Sequence, residues 1–224
     1  MVIVEPKYVV RTERLLLRPL CIDDAPDVLL MREDAEVMLH TSLLPSPSLS
    51  ETLAWIHGCL RSPINWNFSI ELLPPSSSSS AAPSPLSTTS FAEDTPTSHN
   101  TTTTTPRVIG LIGAVRAPEI GYMFHRAYWG HGYATEALAA FMPLFFAHYD
   151  GRAGRPLFDA AEALADTELA ASQNVLRKVG FARVERREAD FENPVLGIRD
   201  TFVYRLQRSW LVGRSGRGGC GGCG

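Results

Sequence analysis

Apolar residues along this chain fall into short alternating runs and longer stretches with helical spacing. Arg11 to Leu20 (RTERLLLRPL) contains an apolar run ending at Pro19 and predicts a first strand. Asp23 and Asp24 follow as helix N-cap candidates, Ala25-Pro26 suits a first turn, and Val28, Leu29 and Met31 form an apolar side. Ser50 is a second N-cap candidate, with Leu53, Ile56, His57 and Leu60 recurring behind it. Trp66 to Leu72 (WNFSIEL) alternates as a half-buried strand does. Arg107 to Val115 (RVIGLIGAV) and Glu119 to Phe124 (EIGYMF) predict two strands joined at Ala117-Pro118. A helix is expected from about Tyr133 to Ala147, kinked or ended by Pro143. Leu157 to Leu164 suits a strand, although its alanines suit a helix equally. Ser172 to Val179 predicts a short helix stopped by Gly180, and Arg183 to Phe191 pairs with Ile198 to Leu206 as a closing hairpin. This order defines a mixed α/β fold.

Two segments break the pattern. Residues Leu73 to Pro106 are dominated by Ser, Thr and Pro, and Gly213 to Gly224 is almost all Gly with Arg and Cys. Neither buries enough apolar surface to offset the entropy of ordering. The first is expected to be a disordered insertion in a hairpin loop, where added length is thermodynamically cheap, because the flanking strands belong to one sheet. The rest, residues 8–210, forms one domain.

The net charge of -3 and the absence of a basic stripe with interleaved aromatics argue against nucleic-acid binding. Met1 to Val10 lacks the apolar core of a signal peptide, and the longest apolar run, Ala137 to Ala147, is too short to span a bilayer. The four cysteines do not make a disulfide framework, so a reducing compartment, cytosol or nucleus, is expected. Cys220 and Cys223 have zinc-ligand spacing but no second pair to complete a site, and no metal is expected.

Chemistry concentrates between Glu119 and Leu138. A strand there enters a loop with Gly130 and Gly132, and the loop opens a helix. Free N–H groups at a helix start, with the positive end of the dipole behind them, form an anion site. Glycines let backbone approach a pyrophosphate closely, and Ala134 keeps the next turn small. A ligand-free strand–helix connection has the same composition. The spacing is not a Walker loop, because no Lys follows, nor a dinucleotide fingerprint, because Thr135 stands where a third Gly belongs.

The run Trp129-Gly-His-Gly-Tyr-Ala-Thr-Glu-Ala-Leu138 resembles the acetyl-CoA loop of the GNAT N-acetyltransferases, closest to the ribosomal-protein N-terminal acetyltransferase branch. Thr12 to Leu20 resembles that branch's opening strand, and Ala171 to Phe181 its late helix. The resemblance implies a mostly antiparallel twisted sheet flanked by helices and splayed at the cofactor strand. It implies acetyl-CoA as co-substrate, with the diphosphate on Gly130, His131, Gly132, Tyr133, Ala134 and Thr135 beside Trp129. The strand end at Tyr122, Met123 and Phe124 would pair with the pantetheine arm, an N–H there polarising the thioester carbonyl. The family's cofactor-binding Asn falls at Leu169 and its Tyr acid at Leu176, which leaves Ser172 as the nearby proton donor.

A protonated amine cannot attack a thioester. Presenting the neutral form at pH 7 costs roughly 1.4 kcal/mol for an α-amine and about 4.6 kcal/mol for lysine, so a base matters more for lysine. Glu119 is the first candidate base and Asp190 the second; each has a solvated carboxylate as its competing reading. Ser172 has helix capping as its rival role. His125 and His131 read as polar rim residues, Arg14 and Arg18 as structural or solvated, Glu136 as a complement to the helix dipole, and Trp66 and Phe68 as strand core. The expected reaction is direct attack in a ternary complex on a monomer or homodimer. The acceptor is a protein N-terminus or small amine. A degenerate CoA-binding module and an interaction protein using the Ser/Thr/Pro arm are the alternatives.

Overall fold

The computed structural model describes residues 8–74 and 107–209. The Ser/Thr/Pro segment from residue 75 to 106 lies outside them, as do the Gly-rich tail and its Cys220 and Cys223. In chain order the elements are β1 (Val10–Arg11), β2 (Leu15–Pro19), α1 (Ala25–Arg32), α2 (Ala35–Met38), α3 (Leu49–Arg61), β3 (Trp66–Leu72), β4 (Val108–Arg116) and β5 (Glu119–Phe124). They continue with α4 (Tyr133–His148), β6 (Ala160–Asp166), α5 (Ala170–Val179), β7 (Ala182–Asn193) and β8 (Gly197–Gln207). One eight-stranded sheet takes the order β1-β2-β3-β4-β5-β6-β8-β7, antiparallel throughout except for the parallel β5–β6 pair. The mixed, mostly antiparallel architecture expected from the sequence is therefore present.

Two helical layers cover the sheet. α4 and α5 pack on one face with Leu17, Phe68, Ile70, Ile112, Ile120 and Phe124. α1 and α3 pack on the other with Leu20, Val108, Leu111 and Met123. β4 is buried along most of its length, which explains its unbroken apolar sequence. Trp66 and Phe68 are core, as expected: Phe68 is fully buried, and Trp66 meets it edge-on and stacks on His148. β3 and β4 pair antiparallel from Trp66↔Ala114 to Glu71↔Val108, so the strands flanking the insertion do share a sheet. Edge strand β7 is mostly exposed and carries Arg183, Glu185, Arg186 and Arg187, charges that discourage edge-to-edge association.

Several local expectations change. α4 runs unbroken through Pro143. An interior proline costs about 3 kcal/mol, but neighbouring Phe141, Met142, Phe145 and Phe146 are buried, each contributing about 1.5–3 kcal/mol. Burial wins. Ser48, not Ser50, caps α3, its hydroxyl accepting from the Glu51 N–H at 3.3 Å. The stretch near Leu157 is a strand, displaced to Ala160–Asp166.

Asp24 is the largest local surprise: it holds the N-cap position of α1 as expected, but its side chain makes no capping hydrogen bond there. Its side chain is fully buried and accepts from Arg18 at 2.6 and 2.9 Å, Arg107 at 2.7 Å, Ser69 Oγ at 2.6 Å and the Cys21 N–H at 3.0 Å. Burial alone would raise its pKa, but Arg18, Ser69 and the Cys21 N–H outweigh burial and hold the carboxyl at about 2. Arg18 is thus structural, joining β2 to the start of α1. Removing one partner of a buried pair strands the other, typically at about 3–5 kcal/mol. Asp24→Asn should lower the unfolding free energy by that order in urea titrations at pH 7. A folded-state pKa below the ordinary 3.8 stabilises above the unfolded value. That stability is lost as pH falls from near 4 through about 2. The variant should lack this part of the acid dependence; equal wild-type and variant curves would refute the assignment.

Candidate active site

β5 and β6 pair at Glu119↔Glu162 and Ile120↔Ala163 and at no later position. Beyond these, β6 keeps its antiparallel ladder with β8 as far as Asp166↔Thr201. β5 likewise keeps its ladder with β4 as far as Gly110↔Phe124. The sheet opens between them. The His125 N–H bonds back to Ile109 on β4 and the Pro118 carbonyl bonds toward β6. Strand alternation therefore turns the Tyr122 and Phe124 N–H groups into the opening.

After Phe124 the chain makes a one-turn 3-10 helix over Arg126–Tyr128, with the His125 ring accepting from the Ala127 N–H at 3.2 Å. The Trp129 indole donates to the Phe124 carbonyl at 2.8 Å and fixes the loop against the strand end. Gly130 and Gly132 take φ of 79° and 81°, and a Cβ on Gly130 would meet nothing within 4 Å. These glycines answer a left-handed backbone rather than crowding. Glu136 is the first N–H of α4 with a backbone partner, the Gly132 carbonyl at 3.1 Å. Among the described residues, the N–H groups of residues 130–135 make no hydrogen bond, as expected at a helix start.

Arg14 staples this loop. It donates to Glu136 at 2.7 Å and to the His131 carbonyl at 3.0 Å, and lies over the Tyr133 ring at 4.6 Å. Glu136 also accepts from Thr12 Oγ1 and the Arg14 N–H. Burial would raise its pKa, but these partners hold it below the usual carboxylate range. Glu136 therefore ties β1–β2 to α4 as well as sitting near the dipole. His131 stays on the rim, its ring contacting the Trp129 carbonyl at 2.8 Å and stacking on Tyr133.

Loop and opening share a cleft of about 510 Å³. Tyr122, Met123, Phe124, Trp129, Gly130, Gly132, Tyr133, Ala134 and Thr135 line it, as do Leu169, Leu176 and Ser172. Of the predicted loop residues, His131 does not. The Ser172 capping role is corrected: α5 has its N-cap at Leu169, which has no side-chain bond, and Ser172 lies inside the first turn. Its hydroxyl is 2.8 Å from the Tyr122 hydroxyl, which also donates to the Ser172 carbonyl at 3.1 Å. Burial pushes the Tyr122 phenol up to about 12, against the Ser172 hydrogen bond, so it keeps its proton. Leu176 is buried core.

Glu119 and Asp190 lie outside the cleft. Glu119 sits at the closed end of the strand pair, where Arg116 holds it at 2.9 Å. Asp190 is exposed on a bulge of β7 between Arg187 and Phe191. Residues singled out by no sequence motif line the cleft instead. His40 Nδ1 is 3.0 Å from Asp166 Oδ2, and Glu36, Thr41 and Lys178 stand nearby along the wall. Burial would raise the pKa of Asp166, but Arg199, the Glu168 N–H and His40 hold it at about 2. No set of metal-ligating side chains occurs among the described residues, and no helix there is long and apolar enough to cross a membrane.

The strand pair thus parts beside a glycine-turned helix start, and both line one cleft. The chain belongs to the GNAT acetyltransferase family: residues 14–182 match the model for the acetyltransferase (GNAT) domain. It is an N-acetyltransferase by that membership. A GNAT-family acetyltransferase from Bacillus anthracis has 18% identity over 89% of this chain and 98% of its own, with a TM-score of 0.64. Spermidine N-acetyltransferase from Vibrio cholerae, in complex with CoA and spermine, has 12% identity over 89% and 99%, TM-score 0.64. The Salmonella typhimurium enzyme that modifies the N-terminal serine of ribosomal protein L7/L12 has 14% identity over 89% and 98%, TM-score 0.62. At these identities the likeness is one of fold. A search of curated protein sequences found no match.

Arg14→Ala should free the loop from β1–β2. Amide exchange at Glu136 and Ala137, the first hydrogen-bonded amides of α4, should rise while β7–β8 keeps its protection, and unchanged exchange would show that the loop holds without Arg14.

Proposed function

We propose that the chain transfers the acetyl group of acetyl-CoA to a primary amine, a protein N-terminus or small amine, by direct attack in a ternary complex. One observation carries this reading: the N–H groups of residues 130–135 are unpartnered, and Gly130 and Gly132 to Thr135 line the same cleft as the parted strands. That cradle fits a diphosphate. Its donors converge at the positive end of a helix, and the Arg14 guanidinium is close enough to lie 3.6 Å from a Cβ built on Gly132.

Bound acetyl-CoA supplies a thioester whose carbonyl carbon accepts the amine. The chain does the rest. Residues 130–135 hold the diphosphate, and the exposed edge of Tyr122 to Phe124 orients the extended arm. The Tyr122 or Phe124 N–H donates to the carbonyl oxygen, an oxyanion-hole contact of the kind that often supplies the largest catalytic contribution. Ser172, hydrogen-bonded to a phenol that stays protonated, returns a proton to the sulfur and takes the place of the tyrosine lost at Leu176. Without a cysteine along the cleft, no acyl-enzyme is needed. Glu119, outside the cleft and engaged by Arg116, is a poor base.

The α-amine preference rests on the sequence resemblance to the ribosomal-protein branch. No observation favours a non-catalytic CoA module over turnover, since the cleft retains both polar donors and an acceptor-side wall. A panel of peptides with free N-termini, lysine peptides and polyamines tests the reading by thiol release and intact mass. Binding of acetyl-CoA without acetylation of any amine would overturn it. Gly132→Asp should abolish acetyl-CoA binding, through the added negative charge and the left-handed backbone, and unchanged affinity would refute the loop assignment. Glu119→Gln should leave the pH profile of turnover where it is, and a shifted profile would restore Glu119 as the base.

A further inference from the structure

The cleft passes through the sheet. On β5, Ile120, Tyr122 and Phe124 join the α4–α5 core while Met123 joins the α1–α3 core. On β6, Ala161, Ala163 and Ala165 face α4 and α5, so alternation sends Asp166 to the opposite face. Ser172 and Tyr122 thus stand on the side of the diphosphate loop, and Asp166 meets His40 on the other. An amine entering from the α1–α3 side reaches His40 before it reaches the parted strands.

The geometry points to His40 as the catalytic base that takes the proton from the acceptor amine, with Asp166 as its positioning residue. This rests on the transferase reading above and deepens it. A carboxylate only accepts hydrogen bonds, so the contact of 3.0 Å between His40 Nδ1 and Asp166 Oδ2 makes Nδ1 the protonated nitrogen. Nε2 then carries the lone pair, and no hydrogen bond of Nε2 is recorded among the described residues. The Asp166 side chain is fully buried and locked on its other side by Arg199 at 3.0 and 3.1 Å and by the Glu168 N–H at 2.8 Å. The ring is partly exposed to the cleft. A carboxylate that fixes tautomer and orientation and steadies the imidazolium is the logic of an Asp–His pair. Asn193 holds the backbone carrying His40, donating to the Leu39 and Thr41 carbonyls at 2.8 Å each.

The protons balance. The ammonium gives one to His40 Nε2, and the neutral nitrogen forms a C–N bond to the acetyl carbon as the C–S bond breaks. The nitrogen's second surplus proton leaves toward the sulfur by way of Ser172. His40 then returns its proton to water. The products are an amide, free thiol and one proton.

Charged and titratable groups around His40 are Asp166, Glu168 and Arg199 on the strand side, Glu36 on α2, Lys178 on α5, and Tyr122, Tyr128 and Tyr133 along the cleft.

His40→Gln should lower kcat/KM at pH 7 by up to about 10-fold for an α-amine peptide, because about a tenth of such an amine is neutral unaided at that pH. The loss should shrink toward pH 9, where the amine is neutral unaided, and acetyl-CoA affinity should match wild type. Asp166→Asn should give a smaller loss with the acid limb of the profile displaced. A loss of equal size at every pH, or weakened acetyl-CoA binding, would assign His40 a structural role and overturn the proposal. A second readout needs no turnover. In the free protein above pH 8, long-range nitrogen–proton spectra should show His40 protonated at Nδ1 and bare at Nε2, and the opposite tautomer would overturn the proposal. A wild type that binds acetyl-CoA and acetylates nothing removes the transferase reading and this one with it. A wild type that turns over while His40→Gln keeps its rate removes only the assignment of His40.

Discussion

β5 and β6 each commit to a different neighbour. β6 pairs with β8 over its whole length, and β5 pairs with β4 over its own, so the two share register only at Ile120↔Ala163 and the position before it. Two half-sheets consequently meet along a short seam and part. Backbone N–H and C=O groups freed at such an opening need partners, because burying them unpaired costs as much as losing the hydrogen bonds. An extended ligand arm or water can supply them. The rest of the site follows from this opening. α4 must start at its mouth because β5 leads directly into the loop, and α5 must start at its far wall because it follows β6.

The loop end of the site is local, and for that reason it was legible in the sequence. Gly130 and Gly132, the strand before them and the helix after them are consecutive, so residue type and spacing carry the whole signal. The sheet was legible too, since Trp66 to Leu72 and Arg107 to Phe124 announce strands by alternation and length. Asp24 was misread because the rule for helix starts sees only its neighbours in the chain. Its partners Ser69 and Arg107 lie far along the sequence, and a capping carboxylate and a buried anion look identical there. Pro143 does not end α4, for the opposite reason: a strong local rule yielded to burial of the four residues around it.

The candidate base was harder to read, and the difficulty is one of topology. Whether Glu119 faces the cleft depends on which end of β5 touches β6, and no residue of β5 encodes that register by itself. His40, Asp166 and Arg199 come from the turn after α2, from β6 and from β8, separated by 126 and 33 positions. Each is a common residue in an unremarkable stretch. Only the folded order β5-β6-β8, with the turn after α2 reaching the same cleft, makes them one cluster. The constellation has no motif because its spacing is spatial.

Placing hydrogen-bonding groups on both sides of a slit has a chemical consequence. A single group serving as both base and acid would have to move between nitrogen and sulfur, or wait for solvent to recharge it. With the Asp166–His40 pair on one face and the Tyr122–Ser172 pair on the other, each can act on the atom nearest it. The environments differ accordingly. The imidazole is held through Nδ1 by an ionised carboxylate, which leaves Nε2 as its lone-pair nitrogen. The Tyr122 phenol, which burial keeps protonated, donates to the Ser172 carbonyl and lies 2.8 Å from the Ser172 hydroxyl. On the proposed reading, the parted sheet separates the two proton transfers by putting the thickness of one strand layer between them.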